Sequence, residues 1–160
     1  MTLQDADGGG NKILKLTRTA MLAAIYASLT VALAPISYGP LQFRVSEALT
    51  VLPWLYPEAI PGLFVGCLIA NLYGGYGIWD VVFGSLATLT AAILTRRVKN
   101  VLLAPLPPVA INALVIGTLL SFLEGLPFPL TAAQVGIGQI GACYVLGLPL
   151  LLLLNRIEKR

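Results

Sequence analysis

Long hydrophobic runs, interrupted at short intervals by Pro, Gly and isolated charges, dominate the chain. A membrane-crossing helix needs roughly 20 mostly apolar residues, fewer when it is buried in a bundle. Six runs fit this pattern and predict six helices: about Leu16 to Ile36, Val45 to Tyr56, Ala59 to Tyr73, Ile78 to Thr95, Val101 to Leu123 and Ala132 to Asn155. The second is short and contains Pro53. As α-helix, at roughly 1.5 Å per residue, it reaches only about 18 Å. It is a short crossing, a tilted helix or a re-entrant segment. Ahead of the first run, residues 1–15 are polar and hold Gly8-Gly9-Gly10, which predicts a flexible cytoplasmic tail before a six-helix domain over 16–160. The apolar run behind this tail is long and lacks a convincing cleavage site, so it does not read as a signal peptide.

Charge placement orients the runs. Lys12, Lys15 and Arg18 precede the first, Arg96, Arg97 and Lys99 separate the fourth from the fifth, and Arg156, Lys159 and Arg160 follow the sixth. Basic residues collect on the cytoplasmic side. Six crossings with both termini in the cytoplasm put all three clusters there; a re-entrant second segment would not. The external loops are then Ser37–Arg44, Gly74–Gly77 and Glu124–Thr131. Connections this short enforce antiparallel neighbours. The predicted fold is all-α, a compact bundle of six transmembrane helices. No internal repeat is evident, which weakens an inverted-repeat transporter reading.

Composition agrees. The 160 residues are 58% hydrophobic and 11% charged, against about 25% charged in soluble domains. Between Thr19 and Thr95 the charges are Arg44, Glu47, Glu58 and Asp80; between Val101 and Asn155 there is Glu124. Such stretches cannot cover a water-facing surface, and an integral membrane protein remains. The chain has no His, which removes His-based metal sites and Ser-His or Cys-His pairs. It has no P-loop motif to cradle ATP. No catalytic or metal-binding set is expected. Cys67 and Cys143 sit in apolar runs as small packing residues. The net charge of +3 lies at the edges of spans and does not imply nucleic-acid binding.

The polar residues within the runs are uneven, and polar groups in hydrocarbon usually face a cavity or a partner. Arg44, Glu47, Asn71, Trp79, Asp80, Glu124 and Gln134 fall toward the expected external side, with Asn112 and Gln139 somewhat deeper. The inner halves are mainly Leu, Val, Ala and Gly. This asymmetry predicts a pocket open to the outside and closed below, not a continuous polar channel. Each residue also has a plainer role: Trp79 in an aromatic belt with Tyr73 and Tyr76, Asp80 as a helix cap, Asn112, Gln134 and Gln139 as interhelical hydrogen-bonders, Glu124 in a loop. Glu47 lies in an apolar helix and needs a donor, either Arg44 at i−3 or the N–H groups of a ligand.

Small residues form a second pattern. Ala20 and Ala24 share one stripe of the first helix, Ala23 and Ala27 a neighbouring one, and Gly62, Gly66 and Ala70 recur in the third. Small residues four apart let helices approach closely, within the bundle or against another membrane protein.

The stretch Leu41-Gln42-Phe43-Arg44-Val45-Ser46-Glu47-Ala48-Leu49-Thr50-Val51-Leu52-Pro53 resembles the signature of the QueT family. So does Ala59-Ile60-Pro61-Gly62-Leu63-Phe64-Val65-Gly66-Cys67, followed by Ala70-Asn71. The likeness runs over nearly the whole chain from about Lys15. It implies a substrate-binding (S) component of an energy-coupling factor (ECF) transporter, an ABC importer of prokaryotic plasma membranes, that captures a queuosine precursor, a 7-deazaguanine base. It also implies docking through Ala20, Ala23, Ala24 and Ala27 on a membrane coupling subunit. Two separate ATPase subunits would use the ATP, leaving this chain with no cofactor and no enzymatic activity.

A deazaguanine offers an N–H and an NH₂ on one edge, which suit a carboxylate or side-chain amide. Its ring suits stacking on Trp79 or a tyrosine. An aminomethyl group would seek Asp80 or Glu124, and the carbonyl would accept from Asn71, Gln134 or Arg44. The alternatives are a different vitamin-like solute in the same class, or a stand-alone secondary transporter or channel. An intramembrane enzyme would need a nucleophile–base pair, and none is evident.

Overall fold

The computed structural model describes residues 3–38, 42–74 and 77–159. In order they form α1 (Leu3–Ala32), α2 (Ala34–Ser37), a 3₁₀ helix (Val45–Trp54), α3 (Ala59–Tyr73), α4 (Gly77–Arg97), a 3₁₀ turn (Val101–Leu103), α5 (Leu106–Glu124), α6 (Phe128–Ile140), a π-helical stretch (Gly141–Gly147) and α7 (Leu148–Glu158). Parts of two expected external loops, residues 39–41 and 75–76 with Tyr76, lie outside the described residues, as do Met1, Thr2 and Arg160.

The polar stretch ahead of Leu16 is wound into α1 from Leu3 onward. The first helix breaks where Pro35 requires it. A proline has no N–H to give and its ring clashes with the carbonyl four residues back. The α1 ladder accordingly stops at Ala32, and the short α2 restarts with Pro35 in its first turn.

Three helical stretches are long and apolar enough to cross a membrane: Gly77–Arg97, Val101–Glu124 and Phe128–Glu158; Ala59–Tyr73 is apolar but shorter. Their outward faces stay apolar, with Phe83, Leu114, Phe122, Ile137 and Leu153 exposed. Exposed apolar surface spread over every helix suits lipid and would be a liability in water. The protein is a multi-pass membrane protein.

Val45–Trp54 forms a 3₁₀ helix rather than an α-helix. At about 2.0 Å per residue, this winding stretches ten residues to about 20 Å instead of about 15 Å. Beside it runs the π-helical stretch, closed by the bond from Leu148 N–H to the Cys143 carbonyl. Pro149 follows two residues after Gly147, and widening the turn ahead of it removes the proline clash. The two unusual helices touch closely. A Cβ on Gly147 would lie 2.8 Å from the Ala48 carbonyl oxygen, and one on Gly141 would lie 2.6 Å from the Phe43 ring.

The remaining packing pairs α1 with α3, α3 with α4, α4 with α5 and α5 with α6. The α1–α3 contact uses the small-residue pattern. A Cβ on Gly66 would fall 2.8 Å from the Ala23 carbonyl oxygen, and one on Gly62 would fall 2.7 Å from that of Thr19. Ala23 and Ala27 are therefore buried in the bundle, while Ala20 and Ala24 face outward. This divides the four alanines expected to dock a partner: two are already buried within the bundle, Ala23 against Gly66 of α3. The core beneath holds Tyr26, Leu52, Ala59, Leu63, Cys67, Ala70 and Ala92.

The basic clusters gather at one end. Arg18 pairs with Glu58 at 2.9 Å in the turn before α3. Arg96 donates to the Trp54 carbonyl at 2.9 Å, and Trp54 Nε1 donates to the Val98 carbonyl at 3.0 Å. Arg18 also lines a groove with Leu154 of α7.

Candidate functional site

Arg44, Glu47 and Asp80 are the charged side chains buried among the described residues, at 3%, 1% and 1% exposure. They lie at the opposite end from the basic clusters, where α1, α3, α4 and the 3₁₀ helix converge. Arg44 is the N-cap of the 3₁₀ helix, with extended backbone (φ −90°, ψ 103°) that turns its side chain inward. Its Nη2 donates to Asp80 Oδ2 at 3.4 Å, Nη1 to Asn71 Oδ1 at 2.9 Å and Nε to the Ser37 carbonyl at 3.4 Å. Its guanidinium lies 5.2 Å from the centre of the Tyr38 ring, in reach of a cation–π contact. Tyr38 is held in turn, its hydroxyl donating to the Ala70 carbonyl at 2.5 Å.

Asn71 ties this group to α4. Its Nδ2 donates to the Asp80 carbonyl at 3.0 Å and to Cys67 Sγ at 3.4 Å. Gly84 makes the approach possible, because a Cβ there would lie 2.5 Å from Asn71 Nδ2 and 2.9 Å from Asp80 Oδ1. Thr88 adds a second donor to Cys67 Sγ at 3.2 Å.

Glu47 sits apart from the cation. Arg44, three residues away and expected as its donor, is turned to Asp80 instead. Glu47 Oε1 accepts from the Tyr26 hydroxyl at 2.5 Å, and Oε2 accepts from Asn112 Nδ2 at 3.5 Å. Both donors are neutral. A carboxylate offers about four lone-pair sites, so two direct donors leave acceptor capacity over. The Glu47 carbonyl accepts from Thr50 Oγ1 at 2.6 Å and from Cys143 Sγ at 3.4 Å. Cys143 is also within 3.5 Å of Gln139 Oε1, which brings α6 to the cluster. Thr30 donates to the Tyr26 carbonyl at 2.8 Å, so Ser46, 2.6 Å away, donates to Thr30. Arg44 is thus paired with Asp80, and Glu47 is a second buried acid held by neutral donors, in a region where polar groups need partners.

Of the expected site residues, Arg44, Glu47, Asn71, Asp80, Asn112 and Gln139 come together. Trp79 does not. Successive residues on a helix point about 100° apart, so with Asp80 inward Trp79 faces out. It is 54% exposed and stacks on Phe83, ring centres 6.0 Å apart. Both line an outward apolar groove of about 700 Å³ with Leu114, Thr118 and Phe122. Glu124 is exposed at the end of α5, beside Gly125 at φ 68°. Gln134 is half-buried on α6.

Sequence reasoning missed Tyr26, Tyr38, Thr50, Cys67, Thr88 and Cys143 as members of the polar network. Tyr26 carried a signal: a phenol set in a run of alanines must place its hydroxyl on a partner when buried. The cysteines and threonines carried none, because the same residues pack equally well against lipid or helix.

A family model described as QueT transporter matches residues 16–156. The queuosine precursor transporter QueT of Lactococcus lactis subsp. cremoris (strain MG1363) is 38% identical over 81 residues, which cover 49% of this chain and 47% of that protein. The similarity thus spans about half the length of that relative. No solved structure matches.

Proposed function

The chain belongs to the QueT transporter family, and from that premise we propose that it is the substrate-capturing membrane subunit of an ECF-type importer for a queuosine precursor, a 7-deazaguanine base. The observation that carries the site is Glu47: a carboxylate 1% exposed, without a cationic partner, beside an Arg44–Asp80 pair that is already satisfied. Asp80 is committed to Arg44, and Glu124 is exposed far along α5. Glu47 is therefore the acid left for the N–H edge of a deazaguanine, or for the ammonium of an aminomethyl precursor. Either would use the acceptor capacity that Tyr26 and Asn112 leave on Glu47.

Six crossings with both termini cytoplasmic remain the topology proposed. The gathering of the Arg18, Arg96 and α7 ends at one end of the bundle supports it, because basic residues collect on the cytoplasmic side. The 3₁₀ winding of Val45–Trp54 supports a second crossing by lengthening it. Coupling and ATPase subunits would supply the energy, and Ala20 with Ala24 on the exposed face of α1 is the part of the alanine pattern still free to receive a partner helix.

The test is direct binding of a 7-deazaguanine panel to the purified chain in nanodiscs. Glu47→Gln should weaken binding about 10- to 100-fold, the worth of a charge-assisted hydrogen bond, with the fold retained. Unchanged affinity in this variant would remove Glu47 from the site. ATP-dependent accumulation in liposomes by this chain alone would overturn its assignment as a subunit.

A further inference from the structure

The hydrogen-bonding nitrogens of Arg44, Asn71 and Asn112 all have protein partners. Gln42 differs. It is 2% exposed, yet its Nε2 has no partner. A buried amide left so costs stability, and native proteins keep such groups where a ligand or an ordered water completes them.

The same residue carries a second, independent oddity. Its φ is +45°, and among the described residues it is the non-glycine residue with positive φ. A side chain with a Cβ adopts that region at a cost, and strain of this kind clusters at binding sites. The strained residue is attached directly to the cluster, because the Gln42 carbonyl accepts from the Arg44 N–H at 2.9 Å. Ser37 repeats the pattern on the other side of Arg44. It is fully buried, its carbonyl accepts from Arg44 Nε, and its Oγ has no partner. Two unpartnered donors are therefore tied to Arg44 through their own carbonyls, Ser37 to its guanidinium and Gln42 to its backbone N–H.

We infer that Gln42 is a specificity-determining residue whose Nε2 donates to a carbonyl oxygen of the solute, with the Ser37 hydroxyl as a supporting donor. This rests on the reading of the cluster as the solute site. Glu47 accepts from N–H groups, and Gln42 donates to an oxygen. Together they select a solute that carries an N–H edge next to a carbonyl, the chemistry of a cyclic lactam. A 6-amino ring of the same shape would bring a donor to Gln42 Nε2 and leave two donors facing each other. Sites built to pair a polar group reject analogues lacking it far more strongly than they reject a change of shape.

The experiment compares a 7-deazaguanine, which has the lactam, with the corresponding 7-deazaadenine, which has the 6-amino group. Both are titrated against the full chain in nanodiscs. Gln42→Met keeps the length and removes the hydrogen bond. Gln42→Asn accepts a positive φ more readily but withdraws the amide by one methylene. Wild type should bind the lactam and discriminate against the 6-amino ring. Both variants should lose at least about 10-fold in lactam affinity and part of the discrimination, the rest being kept by Glu47, which faces a bare ring nitrogen in the 6-amino compound, with unliganded thermal stability at or above wild type. Wild-type affinity and selectivity in Gln42→Met would overturn the inference and leave Nε2 to an ordered water. Joint loss of unliganded stability and binding in both variants would overturn it in favour of a structural role. Wild-type protein that binds neither compound would instead overturn the solute reading itself, and this inference with it.

Discussion

Arg44 donates to Asp80, 36 residues away in the chain, while Glu47 one turn further along its own helix accepts from Tyr26 and Asn112. The arrangement separates two jobs. The cation is spent on holding α3, α4 and the 3₁₀ helix together, and the second carboxylate is left to neutral donors.

Breaking the pair from one side should be costly. Asp80→Ala strands a buried guanidinium, and losses of about 3–5 kcal/mol are usual for such a change. Arg44→Met combined with Asp80→Leu removes both charges and should recover much of that stability without restoring solute binding. Unfolding midpoints in detergent, read beside binding, check both parts. A double variant no better than Asp80→Ala would show that the pair does more than balance charge.

Gly84 sets the approach of Asn71 to Asp80. In Gly84→Ala the new methyl would lie 2.5 Å from Asn71 Nδ2, and Asn71 is pinned by its bonds to α4 and Cys67. The expected result is about 1–3 kcal/mol of destabilisation from overpacking, together with weaker solute binding. Gly136→Ala is the control, because its Cβ would meet Ala113 at 3.7 Å, an ordinary contact. Equal behaviour of the two variants would refute the role given to Gly84.

The alanine stripes of α1 should respond differently to bulk. Ala27→Trp overpacks the bundle and should lower stability and binding together, by about 1–3 kcal/mol in stability. Ala24→Trp projects outward and should change stability by no more than about 0.5 kcal/mol. If the outer stripe receives a coupling subunit, Ala24→Trp should retain solute binding while losing co-purification with that partner. Intact co-purification would move the docking surface elsewhere.

Glu58 gives a pH dependence whose sign is fixed. Burial pushes its carboxyl up, but the hydrogen bond and charge of Arg18 outweigh this and leave its pKa below the ordinary 4.5. A carboxylate depressed on folding contributes stability above its unfolded pKa and loses it as pH falls through the folded value. With Arg18 half-exposed, the contribution is at most about 1 kcal/mol. The stability gap between wild type and Glu58→Gln should therefore shrink on acidification below pH 4.5, most steeply between the unfolded and the folded pKa, and level off below the folded value. A gap that widens would show that the pair is not formed.

The amino-acid sequence alone determined the all-helical, membrane-embedded class, because hydrophobic runs and their breaks report the solvent each segment faces. It also located Arg44, Glu47, Asn71, Asp80, Asn112 and Gln139, because polar atoms in apolar runs must find partners wherever the fold puts them. Tertiary structure alone decided who those partners are. Arg44 turned from its neighbour at i+3 to a carboxylate on α4, since an extended N-cap aims the side chain into the bundle rather than along its helix. Trp79 and Asp80, adjacent in the chain, went to opposite sides of the protein wall by the rotation of one helical residue. The α1 alanines split for the same reason: Gly62 and Gly66 of α3 claimed one stripe and left its neighbour to the outside. The unpartnered amide of Gln42 is invisible in the sequence, because a missing hydrogen bond exists only once every neighbour has its position.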